Sequence, residues 1–179
     1  MDAGEESELV QRVAAGDRTA FHCLVMAHQR PLSAYARRML LTADDADDIV
    51  QETLLRLWTR ADRFDPKAAR LTTWLHRIAH NLCIDMQRRG HRLQPMDEVP
   101  EQVAAGTPEA TGSEEQRQRW LRAALARLPE RQRSALLLCH YQGLSNREAG
   151  EVLGVGVEAI ESLLARARRQ LRKEAEEWR

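Results

Sequence analysis

Leu144 to Arg172 reads LSNREAGEVLGVGVEAIESLLARARRQLR. Ser145, with Glu148 three positions on, is a capping box that opens a short helix. Ala149, Val152 and Leu153 give that helix a buried face, and small Ala149 lets a second helix approach closely. Gly154-Val155-Gly156 makes a tight turn, and the second helix follows from Val157 with Ile160, Leu164, Ala167 and Leu171 turned inward. Two helices joined in this way form a helix-turn-helix, whose second helix enters the major groove with its N-terminal residues at the base edges. Facing outward there are Glu158, Ala159, Glu161, Ser162 and Leu163, followed by Arg166, Arg168 and Arg169. A glutamate can accept from the cytosine amine, alanine or leucine can meet a thymine methyl, and the arginines suit phosphates. The competing reading is a plain helical hairpin with a solvated basic end.

Upstream of this motif, Trp120, Leu121, Ala124, Leu125 and Leu128 keep helical spacing, and Pro129 begins a further helix with Ala135, Leu136, Leu138 and Cys139 buried. From Gln94 to Ser113 the periodicity fails: three prolines (Pro95, Pro100, Pro108), two glycines and many small residues read as an extended acidic tether. From Glu8 to Gly90 the chain is helix after helix. Gly16-Asp17 breaks the first from the second, and Thr42 with the acidic residues after it looks like an N-cap and first turn. Phe64-Asp65-Pro66 opens a loop. A helix then runs from about Thr72 to Arg89 on Trp74, Leu75, Ile78, Leu82 and Ile84, with Gly90 as its stop. No strand pattern occurs. The fold class is all-α: two small helical domains, 1–93 and 119–179, joined by a flexible acidic linker over 94–118, the C-terminal domain being the helix-turn-helix.

The 179 residues carry 27 Lys+Arg and 27 Asp+Glu, a formal net charge of zero that at first argues against a nucleic-acid partner. The charge is nevertheless segregated. Residues 1–62, 63–93, 94–118 and 119–179 carry balances of −4, +5, −5 and +4, so acidic and basic blocks alternate along the chain. No apolar run approaches the length of a membrane helix, and the acidic start MDAGEESEL is unlike a signal peptide. Cys23, Cys83 and Cys139 make neither a disulfide framework nor a metal pair, so a cytoplasmic protein is expected.

Both halves converge on one family. DADDIVQETLLRLWTRADRFDP (Asp45–Pro66), LTTWLHRIAHNLCIDMQRRGHR (Leu71–Arg92) and LARLPERQRSALLLCHYQGLSNREAGEVLGV (Leu125–Val155) resemble, in order and spacing, the extracytoplasmic-function (ECF) sigma factors of the sigma-70 family. The resemblance implies a chain that binds core RNA polymerase, recognises and melts promoter DNA, and is held inactive by an anti-sigma factor, in places at the inner membrane. It implies polymerase docking through Asp45, Asp48, Gln51, Glu52, Leu55 and Trp58, an acidic rim around an aliphatic and Trp anchor. Without the resemblance, Leu55 and Trp58 would read as core. It implies minus-10 capture by the loop Arg63–Thr73, with Arg63, Lys67 and Arg70, and by a reading helix with Arg77, His80, Asn81, Asp85, Arg88 and Arg89. Asn81 can offer a donor and an acceptor to a base that has left the stack. Trp74 could stack on a base, although its spacing with Ile78 and Leu82 fits a core position better. Minus-35 reading falls to Glu158, Ala159, Glu161, Ser162, Arg166, Arg168 and Arg169. There AIESLLARAR departs from the family's commoner TVKSRLHRAR-like series, which points to a distinct minus-35 preference. The acidic tether is compatible with a path through polymerase's RNA exit channel, and equally with plain solubility.

No cofactor, metal, membrane insertion or small-molecule substrate is expected. His76-Arg77-Ile78-Ala79-His80 places two histidines at i and i+4, but a zinc peptidase needs Glu where Arg77 stands, and no third ligand is identifiable. A sigma-like decoy for an anti-sigma factor should lose its DNA-reading residues, whereas Asn81 and the basic helix remain. A stand-alone helix-turn-helix regulator would have no use for the acidic docking helix.

Overall fold

The structure is a computed structural model that describes residues 2–40, 44–93 and 114–177. Among them every regular element is helical. In chain order these are α1 (Ala3–Ala14), α2 (Arg18–Leu40), α3 (Asp44–Arg60) with a 3-10 turn Ala61–Arg63, and α4 (Leu71–Leu93). After the tether come α5 (Glu114–Arg127), α6 (Glu130–Leu136) running into a π-helical turn Leu137–Tyr141, α7 (Asn146–Leu153) and α8 (Val157–Glu177).

Chemistry at the helix ends explains several of these boundaries. Gly16 adopts φ +87° after α1, and the Asp17 carboxylate then accepts from the Thr19 and Ala20 amides to start α2, while Arg12 closes on it at 2.7 Å. The expected cap at Thr42 lies outside the described residues. Gly90 does not stop α4, which continues to Leu93, since an isolated glycine costs a helix only about 1 kcal/mol. At its other end the tether is shorter than expected: α5 reaches back to Glu114, inside the stretch assigned to the linker.

The first four helices pack around Leu24, Leu32, Tyr35, Met39, Leu57, Leu71 and Leu75, all essentially inaccessible. The second unit closes on Leu125, Leu137, Leu138, Ile160, Leu164 and Ala167. Cys139, expected in that core, is only half-buried. The two units do not stand apart on their tether. Helix α4 lies along α7, and α2 meets the π turn, so one apolar cluster runs through both.

The helix-turn-helix forms as its sequence directs. Ser145 Oγ accepts from the Glu148 amide while Glu148 Oε2 accepts from the Ser145 amide at 2.8 Å. Gly154 caps α7 in the left-handed region at φ +66°. The closest approach is not at Ala149, although that residue is buried, but at Gly150, where a Cβ would stand 2.6 Å from the Val155 carbonyl oxygen. Substituting Gly150→Ala therefore reverses the usual helical gain. We expect a loss of about 1–3 kcal/mol, read as a lower urea midpoint with unchanged m.

Candidate polymerase and nucleic-acid interfaces

Helix α3 has two chemically distinct sides. Asp45, Asp48 and Gln51 are exposed, Glu52 is half-buried and held by Arg56 at 2.8 Å, and Leu55 stands 54% exposed among them. An aliphatic side chain that open, within an acidic rim, has no role in this chain's own core. Trp58 divides its surface: half-buried, it meets Phe21 edge-on at 5.1 Å and so braces α3 on α2. At about 100° per residue, Arg56 and Arg60 lie roughly 100–140° round the helix from Leu55. They line, with Arg63, Trp74, Arg77, Ile78 and Asn81, a cleft of about 280 Å³ between α3 and α4, far larger than the ~30 Å³ share of one water. Four guanidiniums, an indole and a carboxamide around such a space can neutralise phosphate, stack a base and hydrogen-bond its edge. Trp74 is half-buried and tilted on Phe64 at 5.7 Å, so it is both a wall of this cleft and a support of the core.

Arg56 and Arg60 were not among the residues singled out from the sequence. Their four-residue spacing was the available signal, hidden because α3 was read as one acidic block.

On α4, Arg77, Asn81, Asp85 and Arg88 follow one another at spacings of four, four and three and form an exposed stripe. Arg89 is exposed beside it, as are Arg63, Lys67 and Arg70 in the preceding loop. His80 departs from this set. It is buried, with Nδ1 2.9 Å from the Tyr35 hydroxyl, and packs at the seam between the two units instead of facing solvent. His76 is buried beside the same tyrosine, ring to ring at 5.6 Å, with Nδ1 donating to the Thr72 carbonyl at 2.8 Å. Both members of the HxxxH pair are thus engaged with Tyr35, and no metal-holding cluster occurs among the described residues.

Helix α8 turns Val157, Glu158, Ala159, Glu161 and Ser162 to solvent while Ile160, Leu164 and Ala167 are buried. Leu163 is half-buried, not outward. Val157, at the first turn and 37% exposed, was also missed; it is apolar where an apolar contact to a thymine methyl would fall. Arg166 and Arg169 are exposed, and Arg168 donates to His140 Nε2 at 2.9 Å, which holds its guanidinium against the π turn.

Residues 24–93 match the family model for Sigma-70 region 2, and residues 118–171 that for Sigma-70, region 4. The chain is 36% identical over 168 residues to the ECF RNA polymerase sigma factor SigM of Mycobacterium tuberculosis, covering 93% of this chain and 82% of that one. It belongs to the ECF sigma factors of the sigma-70 family. It is also 34% identical to the RNA polymerase sigma factor NccH of Alcaligenes xylosoxydans xylosoxydans, over 95% of this chain and 94% of the relative. Among solved structures it resembles CnrH in complex with the cytosolic domain of CnrY, with a TM-score of 0.74 and 29% identity over 96% of this chain and 97% of that one. It also resembles the sigma factor RpoE of Bartonella quintana, in complex with the anti-sigma factor NepR, with a TM-score of 0.71 and 28% identity over 87% of this chain and 96% of that one.

As an ECF sigma factor, the chain binds core RNA polymerase and promoter DNA. Sigma factors are transcription initiation factors, not enzymes. Among the described residues no helix is long and apolar enough to cross a membrane.

Burial pulls His80 from its usual 6.5 down to about 4, with Arg131 adding to the effect, and burial lowers His76 as well. Both imidazoles are neutral in the folded sigma factor. Stability is therefore complete above pH 6.5. It falls below that value as the unfolded chain takes up protons, and stops falling from this source below about pH 4, where folded His80 is protonated too. The His80 share is roughly 3 kcal/mol at 1.36 kcal/mol per pH unit. Urea unfolding across this window should show the loss, and His80→Gln, which keeps a partner for Tyr35, should flatten it.

Proposed function

We propose a division of labour in which three surfaces of this sigma factor act in sequence. The exposed α3 face of Asp45, Asp48, Gln51, Glu52 and Leu55, with Trp58 as its brace, takes core RNA polymerase. The α3–α4 cleft takes a base of the melted minus-10 element, with Trp74 stacking, Asn81 reading the base edge, and Arg56, Arg60, Arg63 and Arg77 on the phosphates. Arg70, Lys67, Arg88 and Arg89 extend the phosphate path, while Asp85 stands where it can accept from a base amine. The start of α8 reads the minus-35 element through Glu158, Ala159, Glu161 and Ser162, with Val157 added, while Arg166, Arg168 and Arg169 hold the backbone. On this reading 1–93 is the docking and melting domain, 94–118 the tether and 119–179 the duplex-reading domain.

The observation that carries this reading is that one helix, α3, offers an acidic face with an exposed leucine and a basic edge to a cleft. A base captured there lies beside the polymerase contact, so docking and melting are coupled through a single rigid element. By analogy with the CnrH and RpoE complexes, an anti-sigma factor would compete for these surfaces. The protein acts in the cytoplasm, with retention at the inner membrane a matter for that partner, and performs no catalysis of its own.

Leu55→Asp should cost at least about 2 kcal/mol of core-polymerase affinity, roughly 30-fold, measured by fluorescence anisotropy with core enzyme. Undiminished binding would remove α3 from the docking role. Asn81→Ala and Arg60→Ala should leave that affinity intact but lower run-off transcription from promoters found by mapping start sites after overexpression. For minus-35 reading, Glu161→Ala should change the base preference recovered by selecting bound sequences with the holoenzyme. An unchanged preference would assign specificity to other α8 positions.

A further inference from the structure

The seam between the two units crosses the very face assigned to minus-10 DNA. Glu148, whose second oxygen caps α7, turns Oε1 to region 2, where Arg70 Nη1 lies at 3.5 Å and the Thr73 hydroxyl donates at 3.4 Å. His76 Nε2 is 3.3 Å from the Gln142 side-chain amide. Arg38 lies over the Tyr141 ring, 4.6 Å from its centroid, and Ser134 Oγ is 3.6 Å from Met39 Sδ. Further along, Asn81, Asp85 and Arg88 form one wall of a cleft of about 210 Å³ whose other wall is Glu130, Arg131 and Leu153. Arg70 is thus paired with a carboxylate, and a phosphate approaching Arg88 would meet Glu130.

Reach gives an independent argument. A compact chain of 179 residues has a radius of gyration of about 16 Å. Elements centred at minus-10 and minus-35 are about 25 base pairs apart, or about 85 Å of duplex at 3.4 Å each. The closed arrangement cannot read both at once. The 20 residues between Leu93 and Glu114 can extend to about 70 Å, enough to bring the separated units to both elements.

The seam is also built to release. It is largely polar, and Arg133, only 7% exposed, has an Nε with no hydrogen-bond partner among the described residues. An unmet buried donor of this kind weakens the closed state. Meanwhile Asp48, Gln51 and Leu55 on α3 stay exposed, so polymerase can engage before the seam opens.

We propose that the α6–α7 face of the second unit is an internal clasp, closed over the minus-10 face of α4 in the free sigma factor, and that single-stranded promoter DNA is captured only after the clasp releases. This rests on the minus-10 role given above to α4.

The test uses the full-length chain, a fluorescent single-stranded DNA pool of random sequence, and small-angle X-ray scattering. Arg133→Glu places a carboxylate beside Tyr35 and Glu130 and should drive the units apart. A Tyr141→Ala, Gln142→Ala double variant loosens the seam from more open positions and serves if the first fails to fold. Each variant should show a larger radius of gyration, unchanged helical circular dichroism, and DNA affinity raised by about tenfold if about one free chain in ten is open. Since Arg133→Glu makes the chain more negative, any gain cannot be an added-charge effect. Expansion without a gain in DNA affinity would overturn the clasp, as would a wild-type chain already as expanded as the variants. Run-off transcription by wild type with core polymerase reports separately: if it fails, or if Asn81→Ala leaves it untouched, the underlying reading fails and not the clasp alone.

Discussion

Tyr35 is wholly buried, and the molecule is organised around it. Its hydroxyl lies 2.9 Å from His80, its ring meets His76 edge-on, and Arg133 and Ser134 of the second unit complete its surroundings. One side chain of α2 thereby ties down α4 and receives α6. Burial raises its phenol well above 10 and lowers both imidazoles, so the cluster is neutral and hydrogen-bonded, the condition under which polar groups can stay buried at small cost. The alignment of the α4 stripe depends on this node, because the residues that anchor the helix, His76 and His80, alternate in sequence with those it displays, Arg77 and Asn81.

Local chemistry was legible in the sequence wherever a feature is settled within a few residues. The Ser145–Glu148 capping box, the Gly154 turn and the inward positions Ile160, Leu164 and Ala167 follow from spacing alone, because a capped amphipathic helix needs nothing remote to define it. Gly150 was not legible as the point of contact, since the Val155 carbonyl reaches it only once the turn has closed. Nor was the burial of His80. Periodicity places it on α4 but cannot say that a second unit covers it. Arg56 and Arg60 were lost in another way: averaging charge over residues 1–62 concealed a helix that is acidic on one side and basic toward its far edge.

Glu148 shows how one residue can serve two levels of structure. Burial alone would raise its carboxyl, but the Ser145 amide and hydroxyl, then Arg70 and Thr73, hold it below the usual range. One oxygen sets the first turn of α7 and the other accepts from region 2. Forming the helix-turn-helix therefore also forms the acceptor for the inter-unit contact, and separating the units leaves the cap intact. The duplex-reading motif can stay folded while its neighbour departs, which is what a two-element reader joined by a tether requires.

The alternation of charge along the chain acquires a spatial meaning from this arrangement. Arg70 of the basic block pairs with Glu148, and Arg88 stands across a cleft from Glu130, so region 2's positive stripe is partly answered within the molecule. A net charge of zero then means more than a cancelled sum, because opposite signs meet across the seam and the free chain presents little long-range attraction to a polyanion. The exposed acidic face of α3 is left for a protein partner. Electrostatics and packing thus favour the same order of events, polymerase first and DNA second. A positive field sufficient to bind promoters unaided would work against that order, since it would spread the sigma factor over the whole chromosome.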